Sequence, residues 1–249
     1  HRYADAQAVS AEHAMDKKRL LRYEAFVAIV LSFIGGIFDV YCLFNFNIYA
    51  MLHTGNIIKL VTNLIDGEYA MFLATFLIVL AFAVGIYLAN VYEHRRKEKG
   101  NKSLLIISML LLLAAAAVPN DTAPGVLSPL KMLASVLLGL EGAFLVHSFI
   151  RFGDYSFSAT TMTSDINRFV TGIYNRISTR DKKHNYGILA YLFIIVFFIL
   201  GVGLGYGYLR RLPTYSGGFM KLYGYNLLLL LPMLCMVVLL IVPEPKADA

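Results

Sequence analysis

The most constraining feature of this 249-residue sequence is a recurring apolar block, broken by short basic clusters. A helix needs about 20 apolar residues to cross a hydrocarbon core about 30 Å thick. Six segments meet that demand: 24–45, 69–92, 103–118, 127–150, 186–209 and 219–242. A single soluble core has no use for so many blocks. The composition agrees, with 58% hydrophobic residues, 15% charged residues and a mean hydropathy of +0.65, against about 45–50% and about 25% in soluble domains. The pattern predicts an all-α integral membrane protein with the lipid bilayer as its first partner. It argues against a soluble enzyme, a nucleic-acid binder and a secreted disulfide scaffold.

The net charge of +6 lies in clusters between the blocks: Lys17, Lys18, Arg19 and Arg22; Arg95, Arg96, Lys97, Lys99 and Lys102; Arg176, Arg180, Lys182 and Lys183. Basic residues flanking membrane spans mark the cytoplasmic side, so no nucleic-acid partner is expected. Cys42 and Cys235 sit inside apolar blocks without a CxxC or Cys/His partner, which points away from a disulfide and from zinc. Residues 1–14 carry no apolar h-region, so no cleavable signal is read there. Met15-Asp16-Lys17-Lys18-Arg19 reads as a natural start, with the preceding residues an addition. The first block then serves as its own insertion signal.

Two further segments, 47–65 and 157–177, have helix length but carry a polar stripe. His53, Asn56, Lys59 and Asn63 recur at spacings of three and four, as do Thr160, Ser164, Asn167/Arg168, Thr171 and Asn175. That is helical periodicity. Three full crossings between the first two basic clusters would put those clusters on opposite faces, so 47–65 is expected to be re-entrant or broken, and 157–177 likewise. Arg210, Arg211 and Lys221 then lie outside, against the charge rule.

The two polar segments also align with each other. Thr54-Gly55-Asn56-Ile57-Ile58-Lys59-Leu60-Val61-Thr62 matches Thr163-Ser164-Asp165-Ile166-Asn167-Arg168-Phe169-Val170-Thr171 without a gap. Gly35-Gly36 precede the first copy, and Gly139 and Gly142 the second. Ala81, Gly85 and Ala89 follow the first, and Gly201 and Gly205 the second. The chain divides on this reading into a cytoplasmic tail (1–22), two membrane repeats (23–120 and 121–243) and a short cytoplasmic tail (244–249). With three net crossings per repeat, the second copy is inverted relative to the first, a recurring transporter plan.

Chemistry is expected from a few groups. Asp39 is an ionisable carboxyl within an apolar span, a costly placement that commonly marks a solute or ion path; pairing with Lys59 is the structural alternative. Glu141 lies at nearly the corresponding depth in the second repeat. Thr54-Gly55-Asn56 and Thr163-Ser164-Asp165 read as breaks followed by helix starts, where hydroxyl or amide groups cap exposed N–H groups and the dipole faces a bound solute. Lys59 and Arg168 lie one turn further on and argue for an anionic group on that solute, unless internal pairing cancels their charge. His53 and His147 could relay protons, with hydrogen-bonded packing as the plainer role. No His or Cys pair has metal-ligand spacing, so no metal and no cofactor are expected. Gly201-Val-Gly-Leu-Gly-Tyr-Gly207 contains two GxxxG pairs suited to close helix packing, within one chain or between copies in a homo-oligomer. No HExxH, GxSxG or Walker A run is present, so no enzyme is expected.

Phe33-Ile-Gly-Gly-Ile-Phe-Asp39-Val-Tyr41 followed by His53-Thr-Gly-Asn56 resembles the YoaK-like family of bacterial membrane proteins. Gly139-Leu-Glu-Gly-Ala143 and Ala159-Thr-Thr-Met-Thr163 look like the second signature of that family, with departures at Glu141, Gly142 and Ser164-Asp165. The resemblance covers nearly the whole chain and implies six spans in a bacterial inner membrane, without an established activity. The expectation is a secondary transporter or facilitator of a small polar metabolite, anionic or neutral, with Asp39 handling a proton or orienting the substrate and the two polar segments meeting at the midplane. A passive channel and a non-transporting adaptor or sensor remain alternatives.

Overall fold

The computed structural model describes residues 2–96, 102–148, 162–182, 184–212 and 218–243, with side chains from residue 19 onward. Lys97, Lys99, Ala159, Thr160 and Lys183, the segment 157–161, the end of the fourth block and the tail 244–249 lie outside the described residues. Every regular element described is helical: α1 (Arg2–Phe46), α2 (His53–Ile65), α3 (Tyr69–Arg96), α4 (Lys102–Ala117), α5 (Pro129–Ser148), α6 (Met162–Thr179), α7 (His184–Arg211), α8 (Gly218–Tyr223) and α9 (Leu230–Ile241), with a 3-10 turn at Asn226–Leu229. Four helices are long and apolar enough to cross a membrane: Arg19–Phe46 within α1, then α3, α5 and α7. α4 and the stretch Asn226–Ile241 are apolar but shorter.

The outline differs from the expectation at both ends. Residues before 23, expected as a polar tail, continue α1 as helix back to Arg2. The last block, expected as one span over 219–242, is broken after Tyr223. Two features account for the break. Pro232 lacks a backbone N–H and is tolerated only in the first turn of a helix, which is where α9 places it. Asn226, meanwhile, faces inward, donating Nδ2 to the carbonyls of Ala116 (2.9 Å) in the last turn of α4 and Val118 (2.6 Å) just after it. Its Oδ1 accepts from the Tyr41 hydroxyl at 2.6 Å and from Asn120 Nδ2 at 2.5 Å. One amide therefore joins α1, the end of α4 and the 3-10 turn. Nearby, buried Lys131 donates to the carbonyls of Ala123 (2.6 Å) and Asn45 (3.4 Å), the latter one of the terminal carbonyls of α1. Lys102 does the same for α9, reaching Leu240 O and Val242 O at 2.9 and 2.8 Å.

Glycines set the tightest seams. Gly36 of α1 lies on the Phe198 carbonyl of α7, and Gly201 of α7 lies on the Phe33 carbonyl of α1, so a methyl group at either would collide with backbone. Ser32 adds a bond from Oγ to Ile194 O at 2.7 Å. On the other side of the bundle a Cβ on Gly139 of α5 would lie 2.9 Å from the Ile78 carbonyl of α3. One on Gly85 of α3 would lie 2.5 Å from the Ala143 Cβ of α5. Thus α1 packs on α7 and α5 packs on α3. Both seams use the small residues that allow helix backbones to approach closely without a hydrophobic driving force. The filter-like run Gly201–Gly207 is ordinary α7 helix, and a Cβ on Gly203 or Gly207 would meet open space.

α2 and α6 lie outside this body. α2 packs on α3, α6 packs chiefly on α7, and the two are not packed neighbours. The expected meeting of the two polar segments is therefore absent among the described residues; each is held on its own side by the long helix that follows it. Both are amphipathic with the polar side inward. Ile57, Ile58, Val61, Leu64 and Ile65 on α2, and Ile166, Val170, Tyr174 and Ile177 on α6, point outward.

Candidate functional site

The 47–52 connection between α1 and α2 is where the sequence motifs converge. α1 stops at Phe46, and Asn47 turns the chain with φ of 55°. This left-handed conformation is one that asparagine tolerates better than most residues. The irregular stretch that follows is buried: Ile48, Ala50 and Met51 have essentially no exposure. Buried irregular backbone must find hydrogen bonds within the protein, and the motif residues provide them.

Asp39 supplies the first set. Its Oδ1 accepts the Met51 N–H at 2.9 Å, and the Ala50 and Leu52 N–H groups bear on the same carboxyl. The alternative pairing with Lys59 is not seen. Lys59 Nζ donates to the carbonyl and Oδ1 of Asn47, at 2.5 and 2.9 Å, and lies 5.0 Å from the Tyr49 ring centroid. Asn56 supplies the second set by clamping one residue from both sides. Tyr49 N–H donates to Asn56 Oδ1 at 2.9 Å, and Asn56 Nδ2 donates to Tyr49 O at 2.8 Å. Gly55 lies under the Tyr49 ring, where a Cβ would come within 2.9 Å.

These bonds revise the expected roles of Thr54, Gly55 and Asn56. The break lies before them, α2 begins at His53, and its N-terminus has no side-chain cap. Asn56 fastens the preceding loop, and Thr54 is exposed. His53 sits against the Phe82 ring, with centroids 3.9 Å apart, and its Nδ1 lies 3.5 Å from Asn56 Nδ2.

The second half supplies Glu141. This residue is fully buried; its Oε1 accepts from Ser108 Oγ of α4 at 2.7 Å, and its Oε2 has no hydrogen-bond partner. The neighbouring Gly142 faces the break, where a Cβ would be 3.7 Å from the Ala50 carbonyl. Cys42, one turn beyond Asp39, lies within electrostatic reach of both Asp39 and Glu141. Asp39 therefore holds the break directly, and the α5 backbone beside Glu141 lies against it.

The second polar helix stands apart from this centre but repeats the first in register. Thr54 is the second residue of α2, and Thr163 the second residue of α6. Asn56 and Asp165, fourth in each, are the buried residue of their helices. Lys59 and Arg168, seventh in each, are partly buried. Arg168 Nη1 lies 3.9 Å from Asp165 Oδ1, while Thr163 is exposed and Ser164 partly buried. Arg168 thus lies beside a carboxylate, whereas the partner of Lys59, Asn47, is neutral. His147 pairs its Nε2 with Glu93 Oε2 at 3.1 Å, tying α5 to α3.

A family model described as a protein of unknown function (DUF1275) matches residues 27–241. The chain belongs to the DUF1275 family. The YoaK-like resemblance carried by the Asp39 and Thr54–Asn56 motifs is consistent with that membership. No curated protein and no solved structure matches the chain. In this DUF1275 protein three working residues escaped the sequence reading, and each had a signal. Ser108 is the lone polar residue between Leu104 and Ala117, Lys131 is a charge inside the fourth block, and Asn226 is an amide inside the sixth. Each is a polar group placed where apolar surroundings make an unpaired one costly.

Proposed function

We propose that this DUF1275 protein is a transporter of a small polar solute across a bacterial inner membrane. In this reading two inverted repeats make six crossings, α2 and α6 enter the membrane without a net crossing, and both termini lie in the cytoplasm. The observation that carries the reading is the buried break at 47–52 held by the Asp39 carboxyl, with Glu141 a second fully buried carboxyl in the adjoining α5. Intramembrane carboxyls and broken backbone together are the usual furniture of a solute path. Two further facts support the plan. α1 packs on α7 while α5 packs on α3, so the first helix of each half lies against the third of the other, as a two-fold arrangement requires. α2, at thirteen residues, is about 20 Å long, short of the ~30 Å hydrocarbon core.

A thermal-shift screen of purified protein against a panel of polar metabolites tests the reading. A ligand at about 100 times its Kd stabilises by about 2.7 kcal/mol. A hit should then accumulate in proteoliposomes with saturation. Flux without saturation converts the reading to a passive channel. Neither binding nor flux across the panel overturns it in favour of an adaptor.

A further inference from the structure

We propose that Glu141, and not Asp39, is the proton-binding group of this protein. The site itself stands on geometry alone, and its link to solute movement rests on the transport reading above.

The two buried carboxyls differ in what surrounds them. Asp39 is tied into the backbone, its Oδ1 accepting the Met51 N–H at 2.9 Å. A backbone donor favours the ionised carboxylate, and removing the acceptor would orphan that N–H. Glu141 has a single donor, the Ser108 hydroxyl, and a second oxygen that is buried without a partner. No basic side chain is paired with it among the described residues. From α1 Cys42 lies within its electrostatic reach, from α4 it is faced by Ser108, and from beyond Ser108 by the Met236 sulfur. α3 presents Ile78 and Ala81 to the adjoining Gly139, while its Glu93 is engaged with His147 further along α5, and His53 rests against Phe82. A lone carboxylate with one hydrogen bond in an apolar site costs several kcal/mol, whereas the neutral acid is far cheaper to keep there.

Glu141 therefore holds a proton in this arrangement, and giving it up requires water to reach the buried carboxyl. The step moves one proton between the carboxyl oxygen and water and transfers no electrons.

Infrared difference spectra of the purified protein, taken between acidic and alkaline pH, read this directly. The wild type should show a protonated-carboxyl band that disappears as pH rises. The band should be lost in Glu141→Gln, persist in Asp39→Asn, and shift in frequency in Ser108→Ala, which removes its donor. A band that survives in Glu141→Gln, or no band in the wild type, overturns the proposal. So does a band that responds to sodium in place of pH. If Glu141→Gln does not fold, Ser108→Ala decides, because an unmoved band there excludes Glu141. The readout needs no solute, so a Glu141 band with no flux in proteoliposomes removes the transport reading and leaves the proton site standing.

Discussion

The two-sided hold of Asn56 on Tyr49 explains why an amide follows Thr54-Gly55. Either oxygen or nitrogen alone would satisfy half of a buried peptide unit. Asn56→Ala should destabilise the protein by about 1–3 kcal/mol, the cost of leaving buried backbone groups without partners, measured by thermal unfolding in detergent. The same logic separates two changes at Asp39. Asp39→Asn keeps an acceptor for the Met51 N–H and should unfold near the wild type, whereas Asp39→Ala should lose about 1–3 kcal/mol; equal losses would remove the anchoring role. At this scale the sequence was half legible. An aspartate in an apolar span and a Thr-Gly-Asn run both announce themselves as unusual. Their partners do not, because Asp39 reaches Met51 and Lys59 reaches Asn47 through a turn that no periodicity foretells.

Among the elements, spacing of small residues carried most of the information. Gly85 and Gly201 were legible on small-residue ridges, Gly36 and Gly139 only as glycines ahead of the polar segments, and each of the four lies at a helix seam. Periodicity could not say which of the two ridges on α7 faces the bundle. Gly201 and Gly205 meet α1, whereas Gly203 and Gly207 meet open space. Gly201→Ala should therefore cost about 1–3 kcal/mol through forced separation of α1 and α7, while Gly203→Ala should be neutral or slightly stabilising, since alanine favours helix. Comparing the two unfolding temperatures checks this, and similar losses at both positions would show that the second ridge is also covered. The end of α2 was equally readable in hindsight. Gly67 takes φ of 75°, its N–H bonds Leu64 O at 3.4 Å and the Glu68 N–H bonds Asn63 O at 2.8 Å, the double bond pattern that a glycine after a helix permits.

For the whole molecule, the order of the long helices followed the apolar blocks, four of which hold helices long and apolar enough to cross a membrane, and the family membership covers the region those blocks define. The pairing of α1 with α7 and of α5 with α3 was beyond reach, since the blocks share one apolar character and any pair could have packed. Orientation is open to direct test. With Cys42 and Cys235 replaced by alanine, a cysteine at Asp66 should react with a membrane-impermeant reagent added from outside, and one at Arg95 should not; the reverse pattern overturns the inverted plan. A last consequence comes from the way α2 and α6 are attached, each lying chiefly along one long helix with an apolar flank turned away from the body, and α2 held besides by Asn56 and Lys59 in its first two turns. An element fastened along a single edge can peel away while the remainder stays intact, because cooperative opening follows the distribution of contacts. In amide hydrogen exchange the two should therefore behave as separate outriggers, taking up deuterium well before α1, α5 and α7.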